Sequence, residues 1–272
     1  MPAVPAPPKV VAHRGASAEA PENTLAAVRR AVARDADLVE IDIQRSKDGA
    51  LVALHDTTLG RTTDARQVFP RRAPWLVGDF TSDEISRLDA GSWHSDTYAG
   101  DRVATLEQVV DVLRGTRTGL LLELKATALH PGIAGDVAAA LRGIPGYVEE
   151  ATSTGRLVVQ SFDHDAMRRH KELEPSVPVG AVGTPARPEL GAIATWADQV
   201  NPVHWSVRSS YVEAVQRHGM RCHVWTVNRP SHLRRALDLG VDGVITNHPE
   251  RLRRLVDDWA LVAATDSRQE DR

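Results

Sequence analysis

Short apolar, β-rich runs alternate with helix-like segments eight times along this chain, and that alternation limits the possible folds more than any other feature. The strand candidates are Val10–His13, Leu38–Ile43, Gly119–Lys125, Arg156–Ser161, Val177–Val182, Ala197–Asn201, Met220–Val227 and Gly243–Asn247. Between them, helices are expected at Asn23–Arg34, Leu106–Arg114, Gly132–Arg142, His164–Leu173, Pro188–Thr195, Ser209–His218, Ser231–Leu239 and Pro249–Trp259. Asn23 and Asp163 are placed to cap two of them, Pro249 suits a first turn, and Gly219 and Gly240 suit helix ends. Eight βα units in this order predict an α/β protein, a (β/α)8 barrel, whose chemistry belongs at the C-terminal ends of the strands. His13, Glu40, Asp42, Glu123, Lys125, Gln160, Trp225 and Thr246 all fall late in a candidate strand or just beyond it.

Length and charge fit that reading. The 272 residues allow one large domain, expected over 9–262, between a flexible N-terminus (1–8) and a disordered tail (263–272). A net charge of -3 argues against a strongly basic nucleic-acid binder. No run approaches the length of a membrane span, and the start has no signal-peptide pattern. The single cysteine, Cys222, cannot form an internal disulfide and reads as a small buried residue. A cytoplasmic location is the expectation; the oligomeric state is left open.

One segment departs from a plain barrel. Only a dozen residues separate Asp42 from His55, too few for a parallel crossover. Asp48-Gly49 suits a two-residue hairpin turn, which would put Lys47 opposite Ala50 and Asp42 opposite His55. The second strand is therefore expected to overshoot the rim and return as an antiparallel arm. The alternative makes Leu51–Leu54 a barrel strand in its own right. Residues 56–104 then form an insertion over the C-terminal face, a lid or side wall of the pocket.

The chemistry-bearing residues converge on this rim. Glu40 and Asp42, two apart on a strand, share a face, and two like charges there need a cation or a base beside them. An ion pair with an arginine across the barrel mouth would satisfy this, and so would a metal. Glu123 lies within the apolar run Leu120–Leu124, where an unpaired carboxylate would be costly, and a third carboxylate favours the metal. Oxygen ligands alone suit Mg²⁺ or Ca²⁺. His13, Arg14 and His55 add two groups that move protons and one that neutralises phosphate, the set that metal-assisted phosphodiester cleavage needs.

These motifs resemble those of the glycerophosphodiester phosphodiesterases. The resemblance runs through Ala12-His13-Arg14-Gly15, Pro21-Glu22-Asn23-Thr24, Glu40-Ile41-Asp42, Lys47-Asp48-Gly49 and His55-Asp56. It continues with Arg61-Thr62-Thr63, Leu106-Glu107, Glu123-Leu124-Lys125, Gln160-Ser161-Phe162 and Trp225-Thr226-Val227-Asn228. It closes with Gly240-Val241-Asp242-Gly243 and Thr246-Asn247-His248-Pro249, covering about residues 9 to 255. The resemblance implies a TIM barrel with an insertion over the active face, and hydrolysis of a glycerophosphodiester to glycerol 3-phosphate and an alcohol. It implies one divalent cation, Mg²⁺ or Ca²⁺, on Glu40, Asp42 and Glu123. His13 and His55 match the acid/base pair, His13 taken as base and His55 as acid, with the reverse left open. Arg14 and Lys125 match phosphate contacts, and the attacker in such a family can be the adjacent glycerol hydroxyl, giving a cyclic phosphate that water opens.

Other positions are weaker. Trp225 can contact the glycerol or belong to the core. Glu22 could contact the metal site or the phosphate, but beside the Asn23 cap it reads as structural. Asn247 stands where many relatives carry an acid, so no role is expected of it. The small-molecule substrate could instead keep an acyl chain, a lysophospholipase D-like case that needs an apolar groove; Trp75, Leu76, Val77 and Phe80 could line one or form the insertion's own core. A non-catalytic phosphodiester-binding barrel would lack at least one of His13, Glu40, Asp42, His55 or Glu123, and all are present.

Overall fold

The computed structural model describes the backbone of residues 7–270 and the side chains through Trp259. Eight strands among the described residues close a parallel barrel: β1 (Lys9–His13), β2 (Leu38–Arg45), β4 (Gly119–Leu124), β5 (Leu157–Ser161), β6 (Val179–Val182), β7 (Gln199–Asn201), β8 (Arg221–Val224) and β9 (Gly243–Thr246). Closure is complete because β1 pairs with both β2 and β9. The remaining strand, β3 (Leu51–Ala53), pairs antiparallel with the end of β2 alone, so it is the returning arm and not a barrel strand.

The strands are apolar on both faces low in the barrel because both faces are covered there. Outward residues such as Val39, Ile41, Leu120 and Leu122 join the main core against the surrounding helices. Inward residues Val11, Leu38, Leu121, Val158 and Ile245 form a separate plug inside the barrel. Side chains alternate along a strand, so the next inward position on the same strands lies roughly 6–7 Å higher. Those positions carry His13, Glu40, Glu123 and Gln160. The apolar plug is thus the floor of a polar site.

The hairpin register differs from expectation by one residue. Ile43 faces Ala53, Gln44 faces Val52 and Arg45 faces Leu51, so Asp42 meets Leu54 and not His55. Gly49 has φ +93°, which closes a three-residue loop over Lys47-Asp48-Gly49 in place of a two-residue turn. Ser46 Oγ steadies it, donating to Asp48 Oδ1 at 2.6 Å and accepting from Ala50 N–H at 2.9 Å. His55 consequently sits past the ladder, in a bend.

Helix signals hold in part. Asp163 caps His164–Leu173, accepting from the N–H groups of Asp165 and Ala166. Thr24, not Asn23, caps Leu25–Ala33: its hydroxyl accepts from Ala27 N–H, leaving Asn23 free for the site. A short helix at Tyr147–Ser153 was not expected from the sequence. The last helix is Pro249–Glu270, past the expected end at Trp259. Residues 1–6 of the expected flexible N-terminus, and residues 271–272, lie outside the described residues.

The insertion has its own core. Leu59, Val77, Phe80, Ile85 and Leu88 are buried with Val52 and Leu54 of the arm, and Phe69 and Trp75 pack on them. No residue from 57 to 104 lines the central cavity; the insertion meets the rim through Arg61, which pairs with Glu22 and Asp56. Among the described residues, no helix is long and apolar enough to cross a membrane.

Candidate active site

A cavity opens at the C-terminal ends of the strands. His13, Arg14, Glu40, Asp42, His55, Glu123, Lys125 and Trp225 all line it, so every site residue singled out from the sequence is brought to one place.

The turn after β1 is shaped to deliver Arg14. Its φ is +56°, an unusual conformation for a residue with a side chain, and Gly15 follows at φ +80°. A Cβ on Gly15 would lie 2.6 Å from Ala27 backbone and side-chain carbon, so only glycine passes here. Arg14 N–H then donates to Glu40 Oε2 at 2.8 Å, and its guanidinium reaches Glu22 at 2.9 Å and Asp42 at 3.2 Å.

Glu40, Asp42 and Glu123 are buried, and one oxygen from each lies within 4.8 Å of the others. Asp42 also accepts from Asn23 Nδ2 at 2.9 Å, and its own N–H donates to Asn23 Oδ1 at 3.1 Å. Lys125 donates to Glu123 Oε1 at 2.7 Å and lies 3.7 Å from Asp42. Gln160 donates to Glu123 Oε2 at 2.9 Å and accepts from Asn201 at 2.5 Å.

Two cations face three carboxylates, which leaves one negative charge uncompensated. Burial, then repulsion from Asp42 and Glu123, pushes the Glu40 carboxyl well above its ordinary range. Burial and Asp42 push Glu123 up as well. Burial acts the same way on Asp42, but Arg14 and Lys125 outweigh it and hold Asp42 below its ordinary value. Glu40 Oε1 is buried with no hydrogen-bond partner. A buried, unpartnered carboxylate oxygen beside two others is what a hard cation would satisfy, so the donor set fits a divalent ion.

The histidines differ. His13 Nδ1 lies 2.7 Å from Asn247 Oδ1, and an amide oxygen can only accept, so Nδ1 carries the proton and Nε2 holds the lone pair. Burial, then the Arg14 charge, pushes the His13 imidazole down to about 4, so it is neutral near pH 7. His55 Nδ1 lies 2.8 Å from the Asp56 carboxylate. Asp56 is itself held down to about 2, first by its hydrogen bond from Arg61, and Arg61 bridges on to Glu22 at 2.6 Å.

Several partners escaped the sequence reading. Asn247, given no role, is bonded to His13; Asn23, read as a cap, grips Asp42; Glu22, read as structural beside that cap, orients Arg14. Phe162, half exposed, also lines the cavity, edge-on to Trp225 with ring centroids 5.6 Å apart. Trp225 hydrogen-bonds Asn201 O at 2.7 Å, so it serves both cavity wall and core. Trp75, Leu76, Val77 and Phe80 are absent from the lining, and Val77 and Phe80 are buried in the insertion's core, so they form no acyl groove.

A closed parallel barrel with acids, cations and imidazoles at its C-terminal mouth defines a class of barrel enzymes suited to anionic substrates. Comparison with known proteins narrows it. Residues 13–251 match the Glycerophosphoryl diester phosphodiesterase family, so the chain belongs to that family, whose members are phosphoric diester hydrolases. YhdW of Bacillus subtilis is 34% identical over 89% of this chain and 95% of its own length. A glycerophosphodiester phosphodiesterase of Caldanaerobacter subterraneus subsp. tengcongensis is 33% identical over 91% of this chain and 97% of its own. Among solved structures, an Oleispira antarctica phosphodiesterase in complex with the product sn-glycerol 3-phosphate superposes with a TM-score of 0.80 at 27% identity, over 92% of this chain and 97% of that one.

Proposed function

We propose that this protein hydrolyses glycerophosphodiesters to sn-glycerol 3-phosphate and an alcohol, with Glu40, Asp42 and Glu123 holding one divalent cation, Mg²⁺ or Ca²⁺. The observation that carries this reading is the convergence of a buried carboxylate triad, two cationic side chains and two imidazoles on one cavity. The Oleispira relative, whose structure holds the expected product, supports the choice of substrate.

Arg14 and Lys125 would bind the nonbridging phosphate oxygens from either side of the triad. When bound, the cation adds positive charge against the phosphate as negative charge develops on it. His13 is neutral, with Nε2 unprotonated, and would accept the proton of the attacking oxygen, either water or the adjacent glycerol hydroxyl. His55, whose Nδ1 lies 2.8 Å from the Asp56 carboxylate, would donate a proton to the departing alkoxide. Trp225 and Phe162 would pack on the glycerol carbon chain. The free, buried Cys222 is consistent with the cytoplasmic setting expected from the sequence.

The test is a panel of glycerophosphodiesters assayed for glycerol 3-phosphate, with EDTA or with added Mg²⁺ or Ca²⁺, beside a His13→Ala control. Metal-dependent release lost in the variant is the expected result. No release from any member by folded, metal-loaded protein would overturn the reading, and acylated substrates would then be the next candidates.

A further inference from the structure

Gln44 follows Glu40 and Asp42 on the inward face of β2 and has no solvent exposure. Its side-chain nitrogen donates to Leu54 O at 2.9 Å and to Asp56 O at 2.5 Å, the carbonyls of the two residues that flank His55. Its oxygen faces His130 Nε2 at 3.3 Å. The opposite orientation of the amide would set its oxygen against both carbonyls, so the nitrogen is the donor and His130 Nε2 bears a proton.

This matters because β3 stops short of His55. The ladder ends at the Ile43–Ala53 pair, and one further bond, Leu54 N–H to Asp42 O at 3.0 Å, closes it. Past that point the arm leaves β2 and next pairs only at Thr58, by an isolated bridge to Leu76 of the insertion, so His55 lies in a bend between the two. The ring contact to Asp56, braced through Arg61 to Glu22, acts between side chains and bonds no main-chain group of the bend. Gln44 ties both sides of the bend to β2, the strand that carries Glu40 and Asp42.

Resting on the phosphodiesterase reading above, we propose that Gln44 is a positioning residue for His55. Its buried amide fixes the main chain on both sides of the imidazole and so sets where Nε2 meets the scissile phosphodiester. A glutamate here would repel the two carbonyls, and an apolar residue would withdraw both bonds. Gln44 thus links the proposed metal ligands to the proposed proton donor through one rigid strand.

Gln44→Met keeps the shape and removes both donors. Misplacement of a reacting group by about 1 Å can cost on the order of 100-fold, so kcat should fall by about 10- to 100-fold. KM and the affinity for Mg²⁺ or Ca²⁺ should stay within about threefold, because neither a ligand nor a phosphate contact is touched. In a His55→Ala background the same substitution should cause no further loss, since Gln44 acts through His55. Amide exchange over residues 54–58 should rise in Gln44→Met while that of β4 is unchanged. An equal loss with and without His55, a changed metal affinity, or unaltered exchange over 54–58 would each overturn the proposal. Should the unmodified protein hydrolyse no glycerophosphodiester, the phosphodiesterase reading falls separately, and the exchange measurement still decides whether Gln44 holds the His55 segment.

Discussion

His13 stays neutral because burial and the Arg14 charge outweigh the pull of Asp42 and Glu22. Its Nδ1 proton goes to an uncharged amide, Asn247, while Arg14 stands beside it. Asn247→Asp would place a carboxylate on that nitrogen and favour the imidazolium. With the divalent ion saturating, the acid limb of kcat/KM should therefore move up by about one pH unit, read from a pH–rate profile. An unmoved limb would mean that His13 is not the base. The carboxylates are equally specific: Glu40→Gln removes a buried oxygen that has no other partner. Calorimetric titration should show divalent-ion affinity falling by at least about tenfold. These partnerships separate what the sequence reveals from what it hides. His13, Glu40, Asp42 and Glu123 were legible because charged groups at alternate positions of apolar strands have few structural uses. The roles of Asn23, Gln44 and Asn247 were not, because an uncharged amide reads the same in a turn, a cap or a site.

At the scale of elements, the β1 turn and the β2–β3 hairpin set the site. Gly15→Ala would press a methyl group into Ala27 at 2.6 Å with φ at +80°. Urea unfolding should show a loss of about 3 kcal/mol or more, with activity falling further because His13 and Arg14 move with the turn. Near-native stability and activity would contradict the account of this turn. The barrel strands were readable from their double-sided apolar character, and the arm from the short Asp42–His55 spacing. The hairpin register was not, since Asp48-Gly49 serves both a two-residue loop and the last two positions of a three-residue one; only the Ser46 side chain distinguishes them. The Thr24 cap was missed for a similar reason: Asn23 and Thr24 both suit the position, and the demand of Asp42 for Asn23 is a tertiary contact.

Across the whole molecule, burial ties stability to pH. His223 lies inside the barrel, 1% exposed, and burial pushes it down to about 4. Unfolded, it titrates near 6.5, so between about pH 6.5 and pH 4 the unfolded chain binds the extra proton. Its contribution is therefore present above pH 6.5 and lost as pH falls towards 4, by roughly 3 kcal/mol at most. Buried Glu40 and Glu123, with raised values, act with the opposite sign, so the readout is a difference between proteins. Denaturant unfolding of His223→Leu should show a smaller loss of stability from pH 7 to pH 5 than the unmodified protein, and an identical loss would contradict this burial argument. The central claim is that one cation on three carboxylates and the phosphodiesterase chemistry form a single site. Metal-stripped protein should be titrated with Mg²⁺ or Ca²⁺ while bound ion and glycerol 3-phosphate release are followed together. One ion per chain, with activity rising in proportion and both lost in Glu123→Gln, is the predicted result. Activity that survives complete chelation, or that is restored by an ion still bound once Glu40, Asp42 and Glu123 are all replaced by their amides, would contradict it.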